Sequence, residues 1–479
     1  MHNSQLIKTL RTFSKEELSS FNDFIYSPFF NKSKTVHKLW EELKKYYPDF
    51  ENPALEKEKM FNTIFNGKEY NYGTMKNLIH SVTTLAEKFL EIYFHEQDKF
   101  QHDYNTLVYC IVKYYPEMFN KKFAKTMKDF DDSKEGMDFH YLYKYQLTRL
   151  GASFAGLESK RDTILYEQGE SLIYFSLIHL FQVMHNMRIL DNENHNRENN
   201  LTKEFIEGID IEAFLEKVKK FSPKHYKVVS IYYYMYLCRK EPENDHYFNT
   251  FKDLVVGSKD FLHEYEFGAI ANCVSNFVIE REYKGIKGSM KDAAEYQQFL
   301  IDTKFFMGET DSNISLLTLL HNLKVFSDAK DIERLQNFYE STKHKILKKD
   351  EDTAENFYFA YLYYAKSEYN KCLQYCARIK PEISQVKLRI KALQIKCYFE
   401  LGEVNAFTYT LDAYRQLLYR ADFINERIKN YTKNFLNSIN SLFDYKYFQK
   451  GILSDIQFEI SKNNMPNKEW ITMKMEAIK

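Results

Sequence analysis

The feature that most constrains the fold of this chain is a helical-hairpin pattern that returns after 35 residues. In the clearest copy Ala360, Tyr363, Tyr369, Cys372 and Cys376 hold the small or apolar positions, and 35 residues further on stand Ile395, Tyr398, Val404, Phe407 and Leu411. A more degenerate copy precedes them: Phe326, Ile332, Leu335 and Tyr339 match Tyr363, Tyr369, Cys372 and Cys376 at an offset of 37. A period of this length is that of tetratricopeptide-type helix pairs. Such pairs bury their apolar faces only by stacking on one another. The expected fold is all-α, an α-solenoid of antiparallel helix hairpins.

Composition agrees with helices throughout. Glycine (14) and proline (8) are scarce for 479 residues, and alternating strand runs bounded by turn residues are hard to find. The 38 tyrosines and 40 phenylalanines read first as large knobs between stacked helices and second as a tyrosine-lined binding surface. Lys+Arg and Asp+Glu both number 67, so no net field draws the chain to polyanions. The first hundred residues are balanced as well, 14 basic against 14 acidic. The most apolar run, Leu172 to Met184, holds Ser176, His179 and Gln182 and is too short to span a bilayer. Six cysteines without framework spacing, and an opening segment unlike a secretory signal, suggest a cytoplasmic setting.

Three regions are expected: an N-terminal helical module over 1–100, degenerate hairpins over 101–310, and tetratricopeptide-like repeats with a capping helix over 311–479. In the module, Ser14 and Glu17 have capping-box spacing, with Phe13 placed to pack on Leu18. A helix should start at Ser14 and end at Ser27-Pro28, since proline disfavours a helical residue before it. Val36, Leu39, Trp40 and Leu43 begin a second apolar stripe. Asn52-Pro53 and Ser222-Pro223 repeat the cap-plus-proline start. A longer helix is expected over Thr74 to His95. Polar tracts at Asp131 to Gly136 and Asp191 to Asn200 read as surface loops.

The segment LRTFSKEELSSFNDFIYSPFFNKSKTVHKLWEELKKYYP, the following Tyr70-Asn71-Tyr72 with Met75 to Leu90, and the later KLRIKALQIKCYFELGE resemble a family of uncharacterised, TPR-like helical proteins of Bacteroidetes-type bacteria. The resemblance covers most of the chain, and Ser27-Pro28-Phe29-Phe30-Asn31-Lys32 is its strongest local mark. It implies a helical-repeat fold and a cytoplasmic setting. It brings no activity, cofactor or catalytic residue to carry over.

No pattern of reactive residues stands out. Cys372 and Cys376, with Cys397 in the next repeat, are the best metal candidates, yet a structural zinc site wants four donors and the thiols occupy packing positions. His179 and His185 are six residues apart, which places them on different helix faces. Gly285-Ile286-Lys287-Gly288 has the letters of a nucleic-acid clamp without the strands around it. Catalytic, cofactor and metal sites are therefore expected to be absent, and the chain reads as a non-enzymatic protein–protein interaction scaffold for a protein or peptide partner. Tyr361, Tyr364, Lys366, Arg389 and Lys396 lie off the apolar stripe and are the candidate groove residues. Phe29 and Phe30 are candidate contacts in the module, where both rings are expected to be mostly buried. The alternative is a regulator-like protein whose N-terminal module binds DNA through Asn71, Thr74, Lys76, Asn77 and His80, although Lys76 and Lys88 are few cations for a groove reader. An enzyme of unknown class is the remaining reading.

Overall fold

The local start signals are used, with one cap missing. In the computed structural model, which describes residues 1–132, 137–154, 160–191, 200–303, 314–380 and 383–478, Ser14 Oγ accepts from the Glu17 amide (3.1 Å) and Glu17 returns a carboxylate to the Ser14 amide (2.6 Å). Asn52 caps a short 3₁₀ turn at Pro53. The Ser222-Pro223 start is also present, with Pro223 in the first turn but no side-chain cap from Ser222. Among the described residues all regular structure is helical, apart from one isolated bridge between Ile314 and Ile346. The fold is all-α. The loops expected at 131–136 and 191–200 lie mostly outside the described residues.

The chain divides into two compact units. One comprises Met1–Ser133 with Tyr143–Gln168, the other Lys134–Leu142 with Gly169–Lys479. The first holds α1 (Gln5–Leu10), α2 (Lys15–Tyr26), α3 (Lys34–Leu43), α4 (Lys57–Ile64), α5 (Tyr72–Gln97), α6 (Lys99–Val112) and α7 (Pro116–Asp132). Helix α5 packs against each of α1 to α4. At their centre Phe21 meets Phe13, Trp40 and Phe89 at ring-centroid distances of 5.5, 4.9 and 5.2 Å. Helices α8 (Met137–Ser153) and α9 (Arg161–Asp191) contribute residues to both units.

The second unit continues with α10 (Leu201–Glu207), α11 (Ile211–Phe221), α12 (Pro223–Lys240), α13 (Asp245–Val256), α14 (Glu264–Lys284) and α15 (Ser289–Asp302). The recurrence seen in the sequence then becomes three helix pairs: α16 (Leu316–Asp328) with α17 (Ile332–Thr342), α18 (Glu351–Ala365) with α19 (Tyr369–Arg378), and α20 (Ser384–Leu401) with α21 (Val404–Tyr419). Equivalent positions share one environment. Ala360 and Ile395, Cys372 and Phe407, and Cys376 and Leu411 are buried, while Tyr363 and Tyr398 are half-buried.

The turns of the three pairs also match. Each places one residue in the left-handed region, Lys330 (φ 56°), Ser367 (φ 60°) and Gly402 (φ 72°). The next amide then closes on the carbonyl five residues back, Asp331 on Phe326 (2.9 Å), Glu368 on Tyr363 (2.8 Å) and Glu403 on Tyr398 (3.3 Å). This is the Schellman ending of a helix, and only the third copy uses the residue that adopts it without a steric penalty. Lys330→Gly and Ser367→Gly should each stabilise the protein by about 0.5–1 kcal/mol, the left-handed penalty less the entropy of glycine. Gly402→Ala should do the reverse, because its Cβ would also stand 2.8 Å from the Tyr447 ring. Urea titrations of the three variants check this.

The run ends with α22 (Glu426–Phe448), α23 (Leu453–Lys462) and α24 (Lys468–Glu476). Helix α24 returns to α14 and α15. The Glu469 carboxylate accepts from the Gly288 amide (2.7 Å), the Ser289 hydroxyl (2.9 Å) and the Met290 amide (3.1 Å). The Met465 amide donates to the Tyr283 carbonyl (3.0 Å), so the succession from α14 to α24 closes on itself.

Candidate functional site

Closure gathers charges that lie far apart in sequence. Asp328, at the end of α16, accepts from Lys324 Nζ one turn earlier and from Lys396 Nζ on α20, each at 2.8 Å. Lys396 also donates to Asn467 Oδ1 (3.3 Å), and its ammonium lies 4.5 Å from the centroid of the Tyr364 ring. The Asn467 amide donates to Glu282 Oε1 of α14 (2.7 Å). Side-chain exposure is 5% for Lys396, 10% for Asp328 and 33% for Lys324. Burial pushes the Asp328 carboxyl up, but Lys324 and Lys396 overcome it and hold the group down at about 2. Burial raises Glu282 above the ordinary carboxylate value.

Next to this network the interior is aromatic and cationic. Burial drives His321 of α16 down to about 4, with the charges of Lys324 and Arg389 adding to the effect, so its ring is neutral at pH 7. Burial pushes Tyr361 up to about 12 against the pull of Arg389 and Lys324. Tyr414 and Tyr283 are raised by burial too, and Lys324 opposes both shifts. These hydroxyls stay protonated at neutral pH and can donate hydrogen bonds.

Tyr283 also faces a cleft of about 700 Å³ bounded by α12, α14 and α22, in the volume range of ligand sites. Arg239, Lys240, Lys284 and Arg427 line it with a single acid, Glu280. Tyr283 and Tyr431 meet edge to face at 5.6 Å within it, and Asn276 and Asn464 supply amide groups.

The candidate groove residues divide. Arg389 is half-buried and Lys366 is exposed. Tyr361 (3%), Tyr364 (7%) and Lys396 (4%) do not lie off the packed face, as their spacing suggested: they are buried. The reason is that α18 and α20 are covered on more than one side, α18 by α16 and α19, α20 by α19 and α21. Their apolar stripe is correspondingly wide. Sequence reasoning missed Glu282, Asp328, Arg239, Lys284, Arg427, Tyr283 and Tyr431. Of the contacts they make, only the Lys324–Asp328 pair has a local signature, its i,i+4 spacing.

In the module the expectation of two buried rings fails for one of them. Phe30 stacks on Phe24 at 4.1 Å, with Lys88 Nζ 5.4 Å from its centroid, whereas Phe29 is 86% exposed. A turn that ends α2 has room to fold one ring back over the helix, and the neighbouring side chain then points outward. Phe30→Ala should therefore cost about 1–2 kcal/mol, roughly half the value of a fully buried phenylalanine. Phe29→Ala should stay within about 0.5 kcal/mol of the parent. Equal losses in denaturant melts would contradict this assignment.

The DNA-facing candidates Asn71, Thr74, Lys76, Asn77 and His80 are exposed on the start of α5. The Asn71 side-chain oxygen is committed to capping that helix through the Thr74 amide (2.8 Å). Cys372 and Cys397 lie 3.5 Å apart, Sγ to Sγ, both buried. Hydrogen bonding with Cys376 and with Cys397, followed by burial, raises the Cys372 thiol well above its ordinary value. Among the described residues no group of three His, Cys, Asp or Glu is arranged to hold a metal ion, and no helix is long and apolar enough to cross a membrane. Comparison with protein-family models, curated proteins and solved structures gave no match.

Proposed function

We propose that the protein is a non-enzymatic, cytoplasmic scaffold for protein–protein interaction, a TPR-like α-solenoid of the helical-repeat family it resembles in sequence. Its cleft between α12, α14 and α22 receives a peptide segment of the partner. The observation that carries this reading is the cleft itself. It combines an edge-to-face tyrosine pair with amide and charged groups, the mixture that fixes a polypeptide by its side chains and its backbone together. Panning a randomised peptide-display library against the full chain tests it. Peptides should be enriched, and enrichment should vanish for Asn276→Trp, which fills the cleft from an exposed position on α14. No enrichment, or enrichment indifferent to that substitution, would overturn the reading.

A further inference from the structure

Resting on the peptide-binding reading above, we infer that the occupant of the cleft is an acidic polypeptide segment with apolar residues interspersed. The chain as a whole is neutral, 67 basic against 67 acidic side chains. The lining of this one cleft nevertheless carries four cations and one acid. The cations come from three helices, so the excess does not follow from the composition of any single segment.

The four differ in how firmly they are committed. Arg239 is fixed: it pairs with Glu280 at 2.6 Å and lies 4.8 Å from the centroid of the Phe277 ring. Its side chain is 10% exposed, and the buried Nε has no hydrogen-bond partner among the described residues. Lys240 and Lys284 make longer pairs, 3.7 Å to Glu207 and 3.4 Å to Glu243. The Glu243 side chain is 76% exposed, so water already competes for this pair and an incoming carboxylate can replace it at little cost. Arg427 is exposed and makes no ion pair among the described residues. One anchored guanidinium beside three available cations suits several carboxylates spaced along a chain.

The remaining lining selects a peptide over a phosphate polymer. Ile279 and Ile428 flank the Tyr283–Tyr431 pair, giving apolar area that a peptide side chain buries and a sugar–phosphate backbone does not. Nucleic acids gain affinity by displacing counterions along a track of cations. Here three of the four basic groups are each paired with a separate glutamate, Glu280, Glu207 and Glu243, so the cations do not form the unbroken track that a row of phosphates needs.

Two measurements on the full chain test the inference. In the library experiment the peptides lost with Asn276→Trp should be rich in Asp and Glu. If they are neutral or basic, the acidic assignment falls and the peptide-binding reading stands; if no peptide is enriched, both fall. In the second measurement a fluorescein-labelled glutamate decamer is titrated by anisotropy. It should bind more tightly than a glycine–serine decamer, and Arg427→Glu and Lys284→Glu should each weaken it about tenfold or more. Raising salt from about 50 to about 300 mM should also weaken it. Arg427 is exposed and Lys284 pairs with Glu243, whose side chain is 76% exposed; circular dichroism of the variants checks that both fold. Failure of the decamer to bind, charge reversals without effect, or tighter binding of a single-stranded oligonucleotide at the same salt would overturn the inference.

Discussion

Asp328→Ala should destabilise the unit that contains it by about 3–5 kcal/mol, the cost of leaving a buried charge without its partner. Asp328 is the shared acceptor of Lys324 and Lys396, and the Lys396 side chain is 5% exposed. Removing the carboxylate leaves two ammonium groups facing each other with too little water to solvate them. Asp328→Ala combined with Lys396→Met should recover part of the loss, because it removes the more deeply buried of the two unpaired ammonium groups and leaves only Lys324, whose side chain is 33% exposed. The pH dependence has a definite sign. Asp328 is held at about 2 in the folded protein, below the ordinary aspartate value, so its contribution is fully present above about pH 4 and is lost as pH falls toward 2. Glu282, raised by burial, acts in the opposite direction: its ionisation opposes folding as pH rises. Urea melts of parent and Asp328→Ala should therefore lie closer together near pH 3 than at pH 7 without coinciding, because a carboxylate held at about 2 is still ionised there. Curves separated equally at both would show that the aspartate stabilises by something other than charge.

Phe21→Ala is the second large effect, about 3–5 kcal/mol for a fully buried phenylalanine. Its ring touches Phe13, Trp40 and Phe89, which come from three different parts of the first unit, so surrounding atoms cannot all move to fill the space. The loss should appear in the near-ultraviolet signal of Trp40, one of two tryptophans in the chain. Phe21→Leu should cost considerably less, since it leaves a smaller cavity. A Phe21→Ala variant as stable as the parent would mean that this cluster is not the core of the module.

What could be read from the sequence is what is encoded within a few residues. The Ser14–Glu17 box, the break at Ser27-Pro28 and the 35-residue register of Ala360, Tyr363 and Cys372 each depend on near neighbours, and each appears where its spacing placed it. The site depends on partners that spacing does not reveal. Lys396 meets Asp328 across 68 residues, and Asn467 meets Glu282 across 185. Tyr361 and Tyr364 lie off a stripe wide enough for one covered face, whereas α18 is packed by α16 as well as α19. A pattern of apolar letters does not say which of two adjacent rings a turn will fold inward: here it is Phe30, and Phe29 stays exposed.

The return of α24 to α14 changes how the helical run can come apart. In an open row of helix pairs each end has one neighbour, so helices can detach from either end one after another while the rest stays folded. Here the Glu469 carboxylate is held by three donors from residues 288–290, and releasing α24 uncovers the start of α15 at the same moment. Amide exchange in those two segments is thereby tied to one opening event. A run whose helices pack mostly on near neighbours in the chain also acquires a closing step with a sequence separation of about 180 residues, the kind of contact that forms late and slowly.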